Sequence, residues 1–423
     1  MVQIMGIPLW EVRENLSHLP LLVDWNGTKD GRGRMTPDYV WGRDVNFKRI
    51  FLLALFVLLV MYPLVPSNSY ATDVSFNTGL NYYYWESTKR EKGQQFYIPV
   101  SIEADIKDFS FRVLTGYMYN YYDNQGVGSH DTDDVLDTKV NLSYYAEDVL
   151  GIDVLVGLDF NIPTGRTNLS DDDIDALMDP DLVPITSWGE GFDVNPTVTL
   201  IKSWDKIVVG VSGGFLWRDS YDYSKEFENY DPGDIWRVTG EFRYYPSDNW
   251  FLRLYSSYTW YEEDEVDGND FYEPGDMLEF GAGILYDRSP WRFKLDLSSY
   301  FRDKDRIETT AGNIRKEDHN SYGDEFLLTS NLRYDLNDRH AVFGLLNLMR
   351  IEPNGYSHED RYYKGRRQKA EVGLGWQWRF AEKYRLQLLS SVYIMHDEET
   401  ALHPDSNRTY RGASIRLGVT THF

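Results

Sequence analysis

The sequence has no cysteine. Disulfides, thiolate metal centres and cysteine nucleophiles are thereby excluded. It is short of positive charge: 43 Lys and Arg against 67 Asp and Glu leave a net charge of −24. That balance argues against nucleic acid as a partner, because phosphate binding needs clustered cations. Past residue 72 the chain lacks any apolar run of the ~20 residues a membrane-spanning helix requires, and it shows no sustained helical period. There is no Gly-rich phosphate loop and no His-Glu-x-x-His. The histidines of this region, His130, His319, His340, His358, His396, His403 and His422, are scattered. No catalytic residue, cofactor or bound metal is expected.

Aromatic residues, by contrast, are abundant. Tyr (32), Phe (21) and Trp (13) make up 16% of the chain, yet its mean hydropathy is on the polar side. A transmembrane barrel reconciles the two, since one face of each strand meets lipid, the other meets water, and aromatic girdles mark both interfaces.

Residues 48–71 read as a secretory signal. Lys48 and Arg49 form a basic start, Ile50 to Met61 an apolar core broken by Pro63 and Pro66, and Ser69-Tyr70-Ala71 a small-x-small cleavage site before Thr72. The apolar run of roughly 12–16 residues is too short to span a bilayer. Residues 1–47 precede the basic start without apolar period, as an upstream start assignment or a disordered extension produces. The expected organisation is therefore 1–47 extension, 48–71 signal peptide and 72–423 barrel.

From residue 72 onward, period-two alternation recurs in segments of roughly ten residues. Phe109, Phe111, Val113, Thr115, Tyr117 and Tyr119 share one face, with Ser110, Arg112, Gly116 and Asn120 on the other. The pattern predicts strands over 74–86, 95–105, 108–121, 136–146, 151–163, 192–203, 206–218, 234–245, 249–261, 276–287, 290–302, 323–335, 339–351, 368–380, 384–395 and 410–423. Short polar links such as Asp105–Asp108 and Ala381–Lys383 alternate with long ones: 122–135, 164–191, 219–233, 262–275, 303–322, 352–367 and 396–409, plus a shorter one at 87–94. An up-and-down membrane barrel has this alternation of tight periplasmic turns and long external loops. The expected fold is all-β, a transmembrane antiparallel up-and-down β-barrel of about 16 strands, or 12 to 14 where a weak segment is loop, in the bacterial outer membrane. Ala413, Ile415, Leu417, Val419, Thr421 and Phe423 alternate to a terminal aromatic. This resembles the last strand of bacterial outer-membrane proteins, which the barrel-assembly machinery reads, and makes Phe423 the assembly signal.

Residues opposite the apolar faces are expected to line the lumen, foremost Arg112, Arg237, Glu241, Lys294, Asp296 and Arg416. Facing basic and acidic rows give a pore a transverse field; opposed charges that merely pair would fill it instead. The loops carry acidic clusters, Asp131 to Asp137, Asp171 to Asp181 and Glu262 to Asp267. These are solvated charge runs or weak Ca²⁺ ligands without an EF-hand pattern.

Val156-Gly157-Leu158-Asp159-Phe160-Asn161-Ile162-Pro163-Thr164-Gly165, followed by Gly191-Phe192-Asp193-Val194-Asn195-Pro196, resembles the outer-membrane family associated with the MetA pathway of phenol degradation. The match covers about 45 of 423 residues, and the Asp-rich loop departs from the family's shorter pattern. The resemblance implies a barrel that acts as a channel or transporter. The function expected is passive passage of small solutes across the outer membrane. The alternatives are a non-conducting structural or surface-interaction barrel and, less favoured, an outer-membrane enzyme. Partners expected are outer-membrane lipid and lipopolysaccharide, the assembly machinery, small solutes and a second copy of the chain.

Overall fold

The computed structural model describes residues 72–124, 128–225, 227–308, 313–398 and 407–423. The extension and signal peptide expected over 1–71 lie outside the described residues. The alternating segments form long strands, each pairing antiparallel with its neighbours in sequence. They are β1 (Thr72–Ser87), β2 (Glu91–Ile106), β3 (Phe109–Asn124), β4 (Gly128–Val135), β5 (Thr138–Val149), β6 (Ile152–Ile162), β7 (Asp193–Trp204) and β8 (Ile207–Arg218). After the short β9 (Tyr230–Asp231) come β10 (Ile235–Ser247) and β11 (Trp250–Tyr261), then β12 (Asp264–Val266) and β13 (Asn269–Glu273). The series ends with β14 (Met277–Arg288), β15 (Trp291–Arg302), β16 (Arg306–Glu308), β17 (Ile314–Lys316), β18 (Glu325–Asp335), β19 (His340–Ile351), β20 (Arg367–Ala381), β21 (Tyr384–Asp397) and β22 (Arg408–His422).

Seventeen of these strands belong to one sheet. Because β4 and β5 follow one another along β3, the ring has sixteen positions. It closes where β1 pairs with β22, from Ser75↔His422 to Ser87↔Tyr410. Closure pairs the wall strands on both sides, which is the condition for a sheet to span lipid; β4, above them, pairs only with β3. A sixteen-strand ring is also wide enough for an aqueous channel.

Side-chain alternation sorts the wall into two faces. Outward lie Leu80, Val211, Val238, Leu252, Leu254, Leu297, Val372, Leu374, Ile415 and Leu417, all exposed although large and apolar. This belt is bounded by rings. At the short-turn end Phe109 packs on Tyr144, Trp250 on Tyr286, Trp291 on Tyr334 and Phe380 on Tyr384, with centroids 4.5–5.5 Å apart. At the long-loop end Phe215 packs on Trp236 and Tyr258 on Trp260, at 4.2 and 4.6 Å. An apolar belt between two aromatic girdles is the surface of an outer-membrane barrel.

The long connections hold more structure than the sequence suggested. The 122–135 segment, expected to be loop, carries β4, because its Asp-rich upper strand pairs with Tyr117–Asn124 of β3. Three neighbouring external loops give up β9, β12, β13, β16 and β17 to a second, five-stranded sheet. The Asp-rich loop contains α1 (Asp171–Asp175), started by a capping box between Ser170 and Asp173. The segment Met178–Thr186 falls in a separate compact unit. By itself it is a turn in which the Leu182 and Val183 amides both donate to the Asp179 carbonyl.

Candidate functional site

The inner wall is the candidate site. Register places Arg112, Arg237, Glu241, Lys294, Asp296 and Arg416 all on it. Each stands opposite another inner residue, for example Arg112 opposite Glu103 and Arg416 opposite Asn81. Their pairing is lateral, along the wall. Arg112 bonds Glu103 at 3.0 Å, Arg237 bonds Glu279 at 2.7 Å, and Lys294 bonds Asp296 at 2.9 Å. Glu241 takes both Arg243 and Arg253, the latter at 3.1 Å. The opposed rows expected to cross the lumen from Glu241 and Asp296 are therefore neighbour pairs. The reason is reach: the partners sit two residues along the same strand or one or two strands away at ~5 Å spacing, within the span of an Arg or Lys side chain. Arg416 differs, for its Nε has no partner. The nearby Glu371 instead accepts from Ser391 at 2.6 Å and Asn347 at 3.0 Å.

A second feature of the wall was not anticipated. Glycines face inward beneath aromatic rings. A Cβ added at Gly281 would fall within the Tyr255 ring, at Gly375 within Phe343, and at Gly412 within Tyr393. Each ring belongs to the residue directly opposite its glycine on the next strand. Glycine gives the ring a flat bed, so it lies along the wall instead of projecting into the lumen. The signal was present as inner-parity Gly and Tyr or Phe, but only the register shows which meet.

At the external end the loop that follows β6 folds back over the inner face of β3 and β4. Asn120, fully buried, donates to the Ala176 carbonyl at 3.5 Å, and Thr132 donates to Asp173 at 2.7 Å. Arg166 pairs with Asp173 at 2.9 Å and lies over the Trp188 ring at 5.5 Å. Asp137 anchors the loop from the bulge between β4 and β5. Its carboxylate accepts from Asn161 Nδ2 at 2.7 Å and from the Gly165 and Glu190 amides at 2.8 Å each. Its own amide donates to the Trp188 carbonyl at 2.9 Å. The Pro163-Thr164-Gly165 turn is thereby seated on the bulge, with Thr164 Oγ1 donating to the Leu136 carbonyl at 3.0 Å. Gly165 admits no side chain because a Cβ would collide with that Trp188 carbonyl.

The external sheet is fastened by a repeat. Tyr230-Asp231-Pro232-Gly233-Asp234 recurs as Tyr272-Glu273-Pro274-Gly275-Asp276. The first tyrosine hydroxyl donates to Asp264 and the second to Asp305, both at 2.7 Å. The Gly233 and Gly275 amides donate to the same two carboxylates, both at 2.8 Å. Burial pushes both phenols far above the usual tyrosine range, and burial also raises the Asp264 carboxyl, against the lowering pull of Tyr230. Thus acids of the Glu262–Asp267 cluster are partly structural. So are those of the first cluster: Asp133 accepts from Tyr117 at 2.6 Å while Asp134 faces Arg166 at 3.6 Å. Among the described residues no group of three or more acidic or histidine side chains is arranged to hold a metal ion. Phe423, the expected assembly signal, extends the β1–β22 seam by donating its amide to the Val74 carbonyl at 2.9 Å, its side chain half exposed. Of the histidines, His340 stacks on Trp376 and Trp378 in the girdle, and His130 bonds Asp172 at 3.1 Å in the loop.

No family model matches the chain, and no curated protein matches it by sequence. Among solved structures it is similar to a TodX deletion mutant described as a monoaromatic hydrocarbon channel, at 11% identity and a TM-score of 0.44, covering 84% of this chain and 91% of that one. It is similar to OccK7 (OpdD) of Pseudomonas aeruginosa at 8% identity and a TM-score of 0.43, covering 84% and 99%. An outer-membrane channel of Pseudomonas putida F1 follows at 11% identity and a TM-score of 0.36, covering 85% and 97%. Likeness at this level leaves the function to be read from this chain's own wall.

Proposed function

We propose that this barrel is an outer-membrane channel for the passive passage of small solutes. The observation that carries the reading is the inner wall: a sixteen-strand ring whose lumen side carries charged and polar side chains among apolar ones, and where three large rings lie flat over glycine instead of filling the bore. A ring laid along the wall over glycine leaves the bore free, whereas the same ring projecting inward would occupy it. The loop after β6 is held on Asp137 at the external end. Membership of the MetA-pathway family is part of this proposal and rests on the two segments quoted above. The structure stitches those segments together where Asn161 donates to the Gly191 carbonyl at 2.8 Å.

The test is conductance of the refolded protein in planar bilayers. Discrete single-channel steps are expected. A barrel that is folded by its heat-dependent gel mobility yet carries no current would leave the structural or surface-interaction reading in its place.

A further inference from the structure

Three cross-strand pairs on the inner wall, all beside the short turns, set arginine directly opposite arginine. They are Arg243↔Arg253, Arg292↔Arg333 and Arg379↔Arg385. Like charges directly opposite on a sheet repel and destabilise it. Two of the three are relieved by the protein itself. Glu241 bonds both Arg243 and Arg253. Asp287 takes Arg292 at 2.9 Å and Asp335 takes Arg333 at 2.8 Å.

The third pair is not relieved. Neither Arg379 nor Arg385 makes an ion pair with a described carboxylate, and the buried Nε of Arg385 has no hydrogen-bond partner. Arg333, itself paired with Asp335, lies close enough that both it and Arg379 act electrostatically on Arg385. Its guanidinium is held toward them by Gln377 Oε1 at 2.8 Å. Gln377 in turn stands opposite Gln387 on the same inner face, so two side-chain amides flank the pair.

We propose that the Arg379–Arg385 pair, flanked by Arg333, Gln377 and Gln387, is an oxyanion-binding site at the periplasmic mouth of the lumen. It takes a small solute that carries a carboxylate or a phosphate. The chemistry is that of two guanidinium forks converging on one anion, which neutralises the opposition the fold leaves standing and fills their donors. The inference rests on the channel reading for its biological sense, but the site can be tested without it.

Two measurements on the full mature protein decide. In detergent without added anion, Arg385→Gln is expected to unfold at a higher temperature than the wild type, because the repulsion is gone. Inorganic phosphate, compared with chloride at equal ionic strength, raises the wild-type midpoint and leaves Arg385→Gln unmoved. Arg385→Lys, which keeps the charge but loses the fork, responds in between. In bilayers, phosphate added from the periplasmic side reduces the chloride current, and its half-effect concentration rises about ten-fold in Arg385→Gln, the loss of one charge-assisted hydrogen bond. Acetate acting like phosphate supports a site open to carboxylates; phosphate acting alone supports a phosphate site. If Arg385→Gln is less stable than the wild type, or phosphate acts no differently from chloride, the site is overturned. A folded wild type without current removes the channel reading, while the thermal comparison still decides the site.

Discussion

At the scale of single residues, Asp137 shows how much one carboxylate can hold. It is buried, and three donors converge on it: the Asn161 side chain of β6 and the Gly165 and Glu190 amides of the loop that follows. Asp137→Ala leaves those donors unpaired in a dry setting, and the expected cost is about 2–4 kcal/mol, since each orphaned donor costs ~1–3 kcal/mol. Asp137→Asn retains one acceptor and should lose less. Thermal midpoints of the two variants, read by heat-dependent gel mobility, check the order; equal midpoints would remove Asp137 from this role. The sequence exposed the Pro163-Thr164-Gly165 turn but not its partner, because Asp137 lies 28 residues earlier within an acidic run that reads as solvated. Tyr230 and Tyr272 offer a second test. Burial raises both phenols, so the folded state holds their protons more tightly than the unfolded chain does. The stabilisation is complete below the ordinary tyrosine value of ~10 and is lost only as pH climbs through the raised folded value. Ultraviolet titration should show tyrosines that ionise only as the protein unfolds in strong alkali. Tyr272→Phe should remove one of them. A single, ordinary titration of every tyrosine would contradict the hydrogen-bonded anchors.

At the scale of elements, the strands were the legible part. Alternation located a strand at each of the sixteen ring positions, since a strand between lipid and water must change polarity at each residue. It failed above the membrane, where both faces meet water and the pattern carries no signal. That is why β4 and the external sheet read as loops, although the Tyr-x-Pro-Gly-Asp repeat was there as a sign of shared construction. The inner-wall residues were legible as parity, whereas their lateral pairs were not, because pairing depends on register between strands. The glycine beds make a prediction at this scale. Gly281→Val should drive the Tyr255 ring off the wall, lowering single-channel conductance at a stability cost of about 1–3 kcal/mol. Tyr255→Ala in the same background should restore the bore. Conductance unchanged by Gly281→Val would mean that the ring does not border the path.

For the whole molecule the question is closure. The ring is sealed by β1 and β22 along thirteen register pairs, from Ser75↔His422 to Ser87↔Tyr410. Phe423 adds one backbone bond beyond them, to the Val74 carbonyl. A single such bond contributes about 1 kcal/mol net, far too little to decide whether so long a seam holds. Its side chain, 52% exposed on the outer face, adds only modest burial. If Phe423 matters, it therefore matters to how the barrel is assembled and much less to how stable it is once closed. Deletion of Phe423 should leave synthesis intact and lower the amount of protein reaching the outer membrane. The purified, refolded deletion should melt within a few degrees of the wild type, as expected for a loss of ~1 kcal/mol in a chain of this size. A normal membrane level would dismiss the residue as an assembly signal. A large fall in the melting temperature of the refolded protein would show instead that the terminal residue holds the seam itself, and the role would pass from recognition by the assembly machinery to the closed barrel.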